Sequence, residues 1–438
     1  MFLTATRPPA DPQMVDVAHS TPDNFSYSAS KAGVHRNADR GSASGSGIRE
    51  TAKMSMLDDV LEAGVARGAA PGAVAVTVDA SGETWLGAAG ERQIGSGVEM
   101  TTDTVGAIFS MTKAITGAAA MQLVEQGRID LDAPAGDTLA DLANPQVLDG
   151  FDSEGQPITR PAKGDVTLRN LLTHTSGYVY DIWNADMAKW YEATETPSLF
   201  SLMKVALRTP LAFDPGTRWQ YGIGIDWAGL IIEEVSGMTL GEYFAEHLTG
   251  PLAMHDTTFA PSDEMVGRMS AMHARLPDGS LKPMELPPPE APEFEMGGGG
   301  LVSTMSDYGR FMRMILNDGE LDGVRVLKAE TVQTMSQNHI GDLRVSELLS
   351  AAPPYSNNAE LFPGEDKSWG LTFQRHEEAG NTGRPAGTLT WAGLANSYFF
   401  IDRTNAIAGA YMSQILPFAD EGSINLYYDF ERAVYAGG

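Results

Sequence analysis

The sequence predicts an α/β (α+β) fold: an antiparallel sheet flanked by helices, with a mainly helical domain inserted into it. Three observations lead there. Two short apolar runs near the start, GAVAVTV at 72 to 78 and TWLGA at 84 to 88, are split by the turn-like DASGE and read as a β-hairpin. Near the end, WGLTFQR, GTLTWAG, NSYFFIDR and AIAGAYMSQ are strand-like runs at short spacing, an antiparallel meander. Between them, from about 140 to 300, helical patterns are broken by Pro-rich and Gly-rich connections. Hairpin and meander are expected to join into one sheet, with the helical middle as a second lobe.

In chain order, residues 1–54 are rich in Ser, Ala, Asp, Asn, Gly and Pro, include the linker-like GSASGSG and carry no helical or strand period, so a disordered extension is expected. Structure is expected to begin near Ser55, read as the cap of a helix with Leu57, Leu61 and Val65 on one face and Asp58 as its capping-box acid. After the hairpin, Met111 to Glu125 is rich in small apolar residues and stops before Gly127, which predicts a helix buried on most sides with Ser110 at its start. Thr239 to Glu242 is a capping box opening another helix. Tyr308, Phe311, Met312 and Ile315 form an apolar stripe after Ser306 and before Gly319. The expected division is 55–140 with 300–438 as a discontinuous sheet domain, and 141–299 as the mainly helical domain.

Composition narrows the function. Thirty Lys and Arg against 57 Asp and Glu give a formal charge of −27, which repels nucleic-acid phosphates and anionic membrane surfaces. No nucleic-acid or membrane partner is expected. Cysteine is absent, so disulfides, thiolate metal sites and a cysteine nucleophile are excluded. The start MFLTATRPPADPQMV lacks the charged and apolar regions of a secretory signal, and the chain is read as cytoplasmic.

The chemistry centres on Ser110-Met111-Thr112-Lys113. Three-residue spacing on a helix places the hydroxyl and the amine on one face. A serine hydroxyl needs a base to become a nucleophile, and a helix N-terminus favours the negative charge that develops. Lysine must be neutral to act as that base; holding it so at pH 7, from an ordinary pKa of about 10.4, costs about 4.6 kcal/mol unless burial lowers it.

Three segments set this pattern in context: AIFSMTKAITGAAAMQLVEQGRIDLD, LRNLLTHTSGY at 168 to 178, and GGGGLVSTMSDYGRFM at 297 to 312. Together they resemble the serine β-lactamase and D,D-peptidase superfamily. Within it, the chain is similar to the class C β-lactamase-like esterase branch, the family VIII carboxylesterases. The resemblance runs from about residue 55 to the C-terminus, where MSQILPFAD and YYDFERAVY are also similar. It implies a β-lactamase-like fold and a cleft between the two lobes.

The resemblance also implies a tyrosine in a Y-x-N or Y-x-x loop, and Tyr221-Gly222-Ile223 matches its position, with Tyr178 and Tyr180 as weaker candidates. A phenol beside an ammonium loses its proton more readily, so Tyr221 and Lys113 are read as a coupled base pair. For the third motif, K-T-G in β-lactamases, Asn381-Thr382-Gly383 and Trp391-Ala392-Gly393 compete. The second is preferred because it ends a strand, and the resemblance implies that Trp391 supplies an apolar wall where a β-lactamase supplies a cation. By the same resemblance, Gly393 belongs to this substrate-binding edge, and the N–H groups of Ser110 and Leu394 form an oxyanion hole, each worth about 3 kcal/mol. Ile223 stands where β-lactamases have asparagine, which argues against efficient β-lactam hydrolysis.

Other features are set aside. No G-x-S-x-G elbow occurs, His174 is read as structural, and the remaining histidines lack metal-ligand spacing. No cofactor or metal is expected. The GGGG at 297 to 300 is not a P-loop and fits a close backbone approach or a hinge. The expected function is a serine hydrolase that cleaves small carboxylic esters, short-chain acyl ones above all, through an acyl-Ser110. A β-lactamase, a D-amino-acid peptidase or amidase, and an acyltransferase are the rivals. A silent scaffold is disfavoured because all three catalytic side chains are present.

Overall fold

In the computed structural model, which describes residues 45–286 and 289–436, hairpin and meander share one seven-stranded sheet. Its strands are β1 (Gly72–Asp79), β2 (Glu83–Gly90), β3 (Lys367–Trp369), β4 (Gln374–His376), β5 (Leu389–Gly393), β6 (Ser397–Asp402) and β7 (Ile407–Met412). Their spatial order is β3-β4-β5-β6-β7-β1-β2, and every neighbouring pair is antiparallel. The chain ends therefore meet where β1 pairs with β7, in a register that sets Val76 opposite Ala410.

Five helices place the sheet and the site: α1 (Gly45–Ala66), α2 (Thr112–Glu125), α3 (Gly224–Ser236), α4 (Met305–Leu316) and α5 (Glu421–Ala436). The alternation of β1 shows why it is buried on both faces. Val76 and Val78 face α4, so closely that a Cβ on Gly309 would lie 3.1 Å from Val78. Trp85, opposite Thr77 on the other face, packs against Phe430 of α5 at 6.0 Å between ring centroids. The predicted α4 stripe of Tyr308, Phe311, Met312 and Ile315 is fully buried. Each such side chain contributes about 1.5–3 kcal/mol by leaving water.

Several local expectations change. Residues 1–44 of the predicted extension lie outside the described residues, but α1 already runs from Gly45, so Ser55 is inside the helix rather than at its cap. Asp58 accepts a hydrogen bond from Trp85 Nε1 at 3.0 Å, tying α1 to β2 instead of closing a capping box. Thr304, not Ser306, caps α4 by accepting from the Asp307 N–H. The capping box at Thr239 and Glu242 forms as predicted. The middle of the chain also carries a hairpin, Gln146–Phe151 with Pro157–Pro161, whose exposed positions lack the apolar alternation of a core strand. Among the described residues, no helix is long and apolar enough to cross a membrane.

Candidate active site

Ser110 sits in a single 3-10 turn, Phe109–Met111, that runs directly into α2. Phe109, just before it, adopts φ of 42°, a left-handed conformation that costs a bulky residue about 1–3 kcal/mol and persists because the surrounding packing enforces it. Residues Thr112 to Leu123 of α2 are buried on every side, because small side chains let other elements close around the helix. Lys113 is thereby fully buried one helical turn from Ser110.

The three hydrogen-bonding positions of the Lys113 Nζ are all used. They reach Ser110 Oγ at 3.0 Å, Tyr180 OH at 3.0 Å and the Gly298 carbonyl at 2.5 Å. Burial lowers the Lys113 pKa to about 7, against an opposing attraction from Asp226. As a neutral amine, Lys113 has two donors and one lone pair. Tyr180 and Gly298 take the two N–H groups, which leaves the lone pair for the Ser110 hydroxyl.

Tyr221 is fully buried beside the pair. Its hydroxyl accepts from Trp391 Nε1 at 3.2 Å, and it lines the same pocket as Ser110. The Lys113 Nζ lies 4.8 Å from the centre of its ring. Burial raises the Tyr221 pKa, with the nearby Ser110 and Trp391 side chains only partly offsetting it. This corrects the expectation of an acidified phenol: Tyr221 is held protonated, and Lys113 is the group poised near neutrality. Tyr180, ranked lower from sequence, reaches Lys113 directly, and burial raises its pKa as well. Tyr178 packs instead against Trp227, 5.7 Å between centroids.

Of the two competing motifs, the structure brings Trp391-Ala392-Gly393 to Ser110. A Cβ on Gly393 would lie 2.3 Å from the Ile108 carbonyl oxygen, so the end of β5 lies directly against the backbone entering the Ser110 turn. Asn381-Thr382-Gly383 is elsewhere, with Gly383 against Tyr435 of α5. Ser110, Tyr221, Trp391, Gly393 and Leu394 line one narrow pocket together with Trp183, Leu348 and Phe418. Its walls are aromatic: Tyr221 lies 4.8 Å from Trp391 and 5.3 Å from Trp183 between centroids.

His174 is a support. Its Nδ1 accepts from the Gly222 N–H at 3.3 Å and its ring meets Tyr221 edge-on at 4.7 Å, which steadies the Tyr221 loop. Burial and the nearby Lys113 lower its pKa well below the ordinary value, so it is neutral. Ile223, at the position of the missing asparagine, is buried. Among the described residues, no group of three His, Asp or Glu side chains is placed to hold a metal ion.

One participant, Asp226, was not singled out from sequence, whereas the glycine run expected to make a close backbone approach does so. The glycine run comes within reach of α2: Gly297 accepts from Thr116 Oγ1 at 2.6 Å, while Gly298 accepts from Lys113. Asp226 on α3 is fully buried and accepts from the Gly298 N–H at 2.8 Å. Its signal is an acid standing in the apolar helical run GIDWAGLII, which no solvated face explains.

The chain matches the beta-lactamase family over residues 57–433. It is 32% identical over 403 residues to a lovastatin esterase from Penicillium rubens, covering 86% of this chain and 98% of that protein. It is 31% identical over 349 residues to an ML-236A carboxylate methylbutanoyltransferase from Penicillium citrinum, covering 77% of this chain and 82% of that one. The solved structure of a simvastatin synthase mutant from Aspergillus terreus superposes with a TM-score of 0.76 at 30% identity, over 88% of this chain and 97% of the other.

Proposed function

This chain belongs to the beta-lactamase family, and from that premise we propose that it is a carboxylesterase that works through an acyl-Ser110. The observation that carries the reading is the 3.0 Å contact between Ser110 Oγ and a fully buried Lys113 whose pKa burial lowers to about 7. Neutral Lys113 takes the proton of Ser110 as Oγ attacks the ester carbonyl. The alkoxide that forms points to the N–H groups of Ser110 and Leu394. Ser110 lies in the first turn of helical structure, where backbone N–H groups have no intrahelical acceptor. The tetrahedral adduct then collapses and expels the alcohol, which leaves with a proton from the Lys113 and Tyr221 pair. The same pair takes a proton from water in the second half-reaction, and the acid departs.

The pocket argues for small, neutral acyl groups. Its lining is closely packed and largely aromatic and aliphatic, with the hydroxyls of Ser110 and Tyr221 as its polar side-chain groups. Trp391 presents an indole where a β-lactamase presents a cation. Trp391 and Ile223 together disfavour rapid β-lactam turnover.

Acyl transfer to an alcohol is the second reading. It is favoured by relatives near 30% identity that include methylbutanoyltransferases beside an esterase. Only the acceptor differs, since an alcohol in the position of water gives a new ester from the same acyl-Ser110.

The test is hydrolysis of p-nitrophenyl acetate, butyrate and octanoate beside nitrocefin, with wild type and Ser110→Ala, repeated with an added alcohol. Cleavage of the short esters that vanishes in Ser110→Ala, with free acid as the main product, supports the esterase. New ester outweighing acid in the presence of the alcohol moves the assignment to a transferase. Unchanged cleavage in Ser110→Ala refutes the mechanism.

A further inference from the structure

Asp226 is a buried acid left half satisfied. Its Oδ1 accepts from the Gly298 N–H at 2.8 Å, while Oδ2 is buried with no partner among the described residues. Gly298 faces the other way with its carbonyl, which accepts from Lys113. The approach is so close that a Cβ on Gly298 would lie 2.6 Å from Asp226 Oδ2. One residue of backbone therefore separates a buried carboxylate from a buried amine. A carboxylate taken out of water costs several kcal/mol, and an aliphatic side chain would fill this apolar stretch of α3 without that cost.

We propose that Asp226 is a positioning residue for acyl transfer: it clamps the Gly298 backbone that orients Lys113, and its negative charge sets the pH at which Lys113 becomes a neutral base. The proposal rests on the reading of Lys113 as the base that activates Ser110.

The surroundings leave Asp226 as the charge that acts on Lys113. Around the amine stand Ser110 from the 3-10 turn, Tyr180, Tyr221 and Gly298, together with His174, which is neutral. Around Asp226 stand Lys113, the Gly298 N–H and the protonated phenols of Tyr180, Tyr191 and Tyr221. Burial raises the Asp226 pKa to about 6, opposed by Lys113 and by the Gly298 N–H. Attraction between carboxylate and ammonium opposes the effect of burial on Lys113. A base that burial alone had weakened would bind the Ser110 proton poorly. Asp226 keeps the amine basic enough to take that proton and hold it until the alcohol leaves.

The experiment measures the rate at which a fluorophosphonate labels Ser110 between pH 5 and 9, in wild type and in Asp226→Asn. This readout needs activated serine but no particular substrate. If wild type is not labelled at any pH, the reading of Ser110 and Lys113 fails, and the proposal about Asp226 falls with it. Asparagine can still accept from the Gly298 N–H, so the clamp survives and only the charge is lost. The acid limb of the labelling profile is expected to move to lower pH by about one unit, the low end of the shift that an opposite charge nearby produces. A limb that stays in place or moves to higher pH overturns the proposal.

If Asp226→Asn does not fold, Lys113→Met carries the reciprocal test. With carbon-13-labelled aspartate, one buried carboxyl is expected to titrate at higher pH than in wild type. A carboxyl spectrum whose titration is unchanged overturns the proposal.

Discussion

Replacing Gly393 with alanine tests the geometry of the proposed oxyanion hole. The added Cβ would lie 2.3 Å from the Ile108 carbonyl oxygen, whereas Cβ contacts below 3.0 Å are essentially never seen, so the two backbones must part by at least 3.0 − 2.3 = 0.7 Å. Ile108 cannot readily recede. Its N–H donates to Leu301 O at 3.1 Å, and its carbonyl accepts from the Met111 N–H at 3.1 Å, inside the turn that holds Ser110. The displacement therefore falls on the end of β5, and it carries the Leu394 N–H away from Ser110. Productive geometry tolerates only about 0.5 Å, and removing one oxyanion donor costs about 10²–10³-fold in kcat, or about 2.7–4 kcal/mol. The assay is kcat and KM for p-nitrophenyl butyrate, with active sites counted by phosphonate titration and folding checked by calorimetry. A folded Gly393→Ala enzyme with kcat within threefold of wild type would refute the placement of the hole.

Three further outcomes are expected. For wild type, kcat/KM should rise with pH through about 7, because burial lowers the Lys113 pKa to that value and the deprotonated amine is the active form; an acid limb near pH 10 would contradict it. Tyr221→Phe should lose about 10²–10⁴-fold in kcat, as for a group that handles the reacting proton, whereas Tyr180→Phe removes one hydrogen bond to Lys113 and should lose about tenfold. Equal losses measured side by side would argue against that division of roles. Away from the site, Arg384 donates to Glu431 at 2.9 Å and to Glu365 at 3.3 Å within a buried cluster. Arg384→Met takes the cation from the fully buried Glu431, while Glu365 keeps its contacts with His376 and the Asn381 N–H, and should cost about 3–5 kcal/mol by chemical denaturation at pH 7. Burial raises the folded-state pKa of Glu431 to about 7, so the penalty carried by that residue should shrink as pH falls from 7 towards its ordinary value of 4.5.

Period and punctuation were enough to place most of the sheet and the helices α2 and α4, but not α5 or the start of α1. Apolar runs predicted β1, β2, β5, β6 and β7, and the stripe ending at Gly319 predicted α4, because these signals are local and their side chains must leave water; WGLTFQR, read as one strand-like run, instead holds the turn between β3 and β4. Ser110 and Lys113 lie within one helical turn, but that spacing is a weak signal by itself, and it was the resemblance of the surrounding segments that singled the pair out. The choice of Trp391-Ala392-Gly393 over Asn381-Thr382-Gly383 also followed from strand pattern and resemblance. What only the tertiary structure decided are the features that depend on distant segments and on burial. Tyr180 and Gly298 are 67 and 185 residues from Lys113, yet both bond to its amine. The sign of the Tyr221 shift was misjudged because a neighbouring cation is visible in sequence whereas desolvation is not. Asp226 went unmarked because a single acid in an apolar run becomes meaningful only when the fold places it one glycine away from a buried lysine.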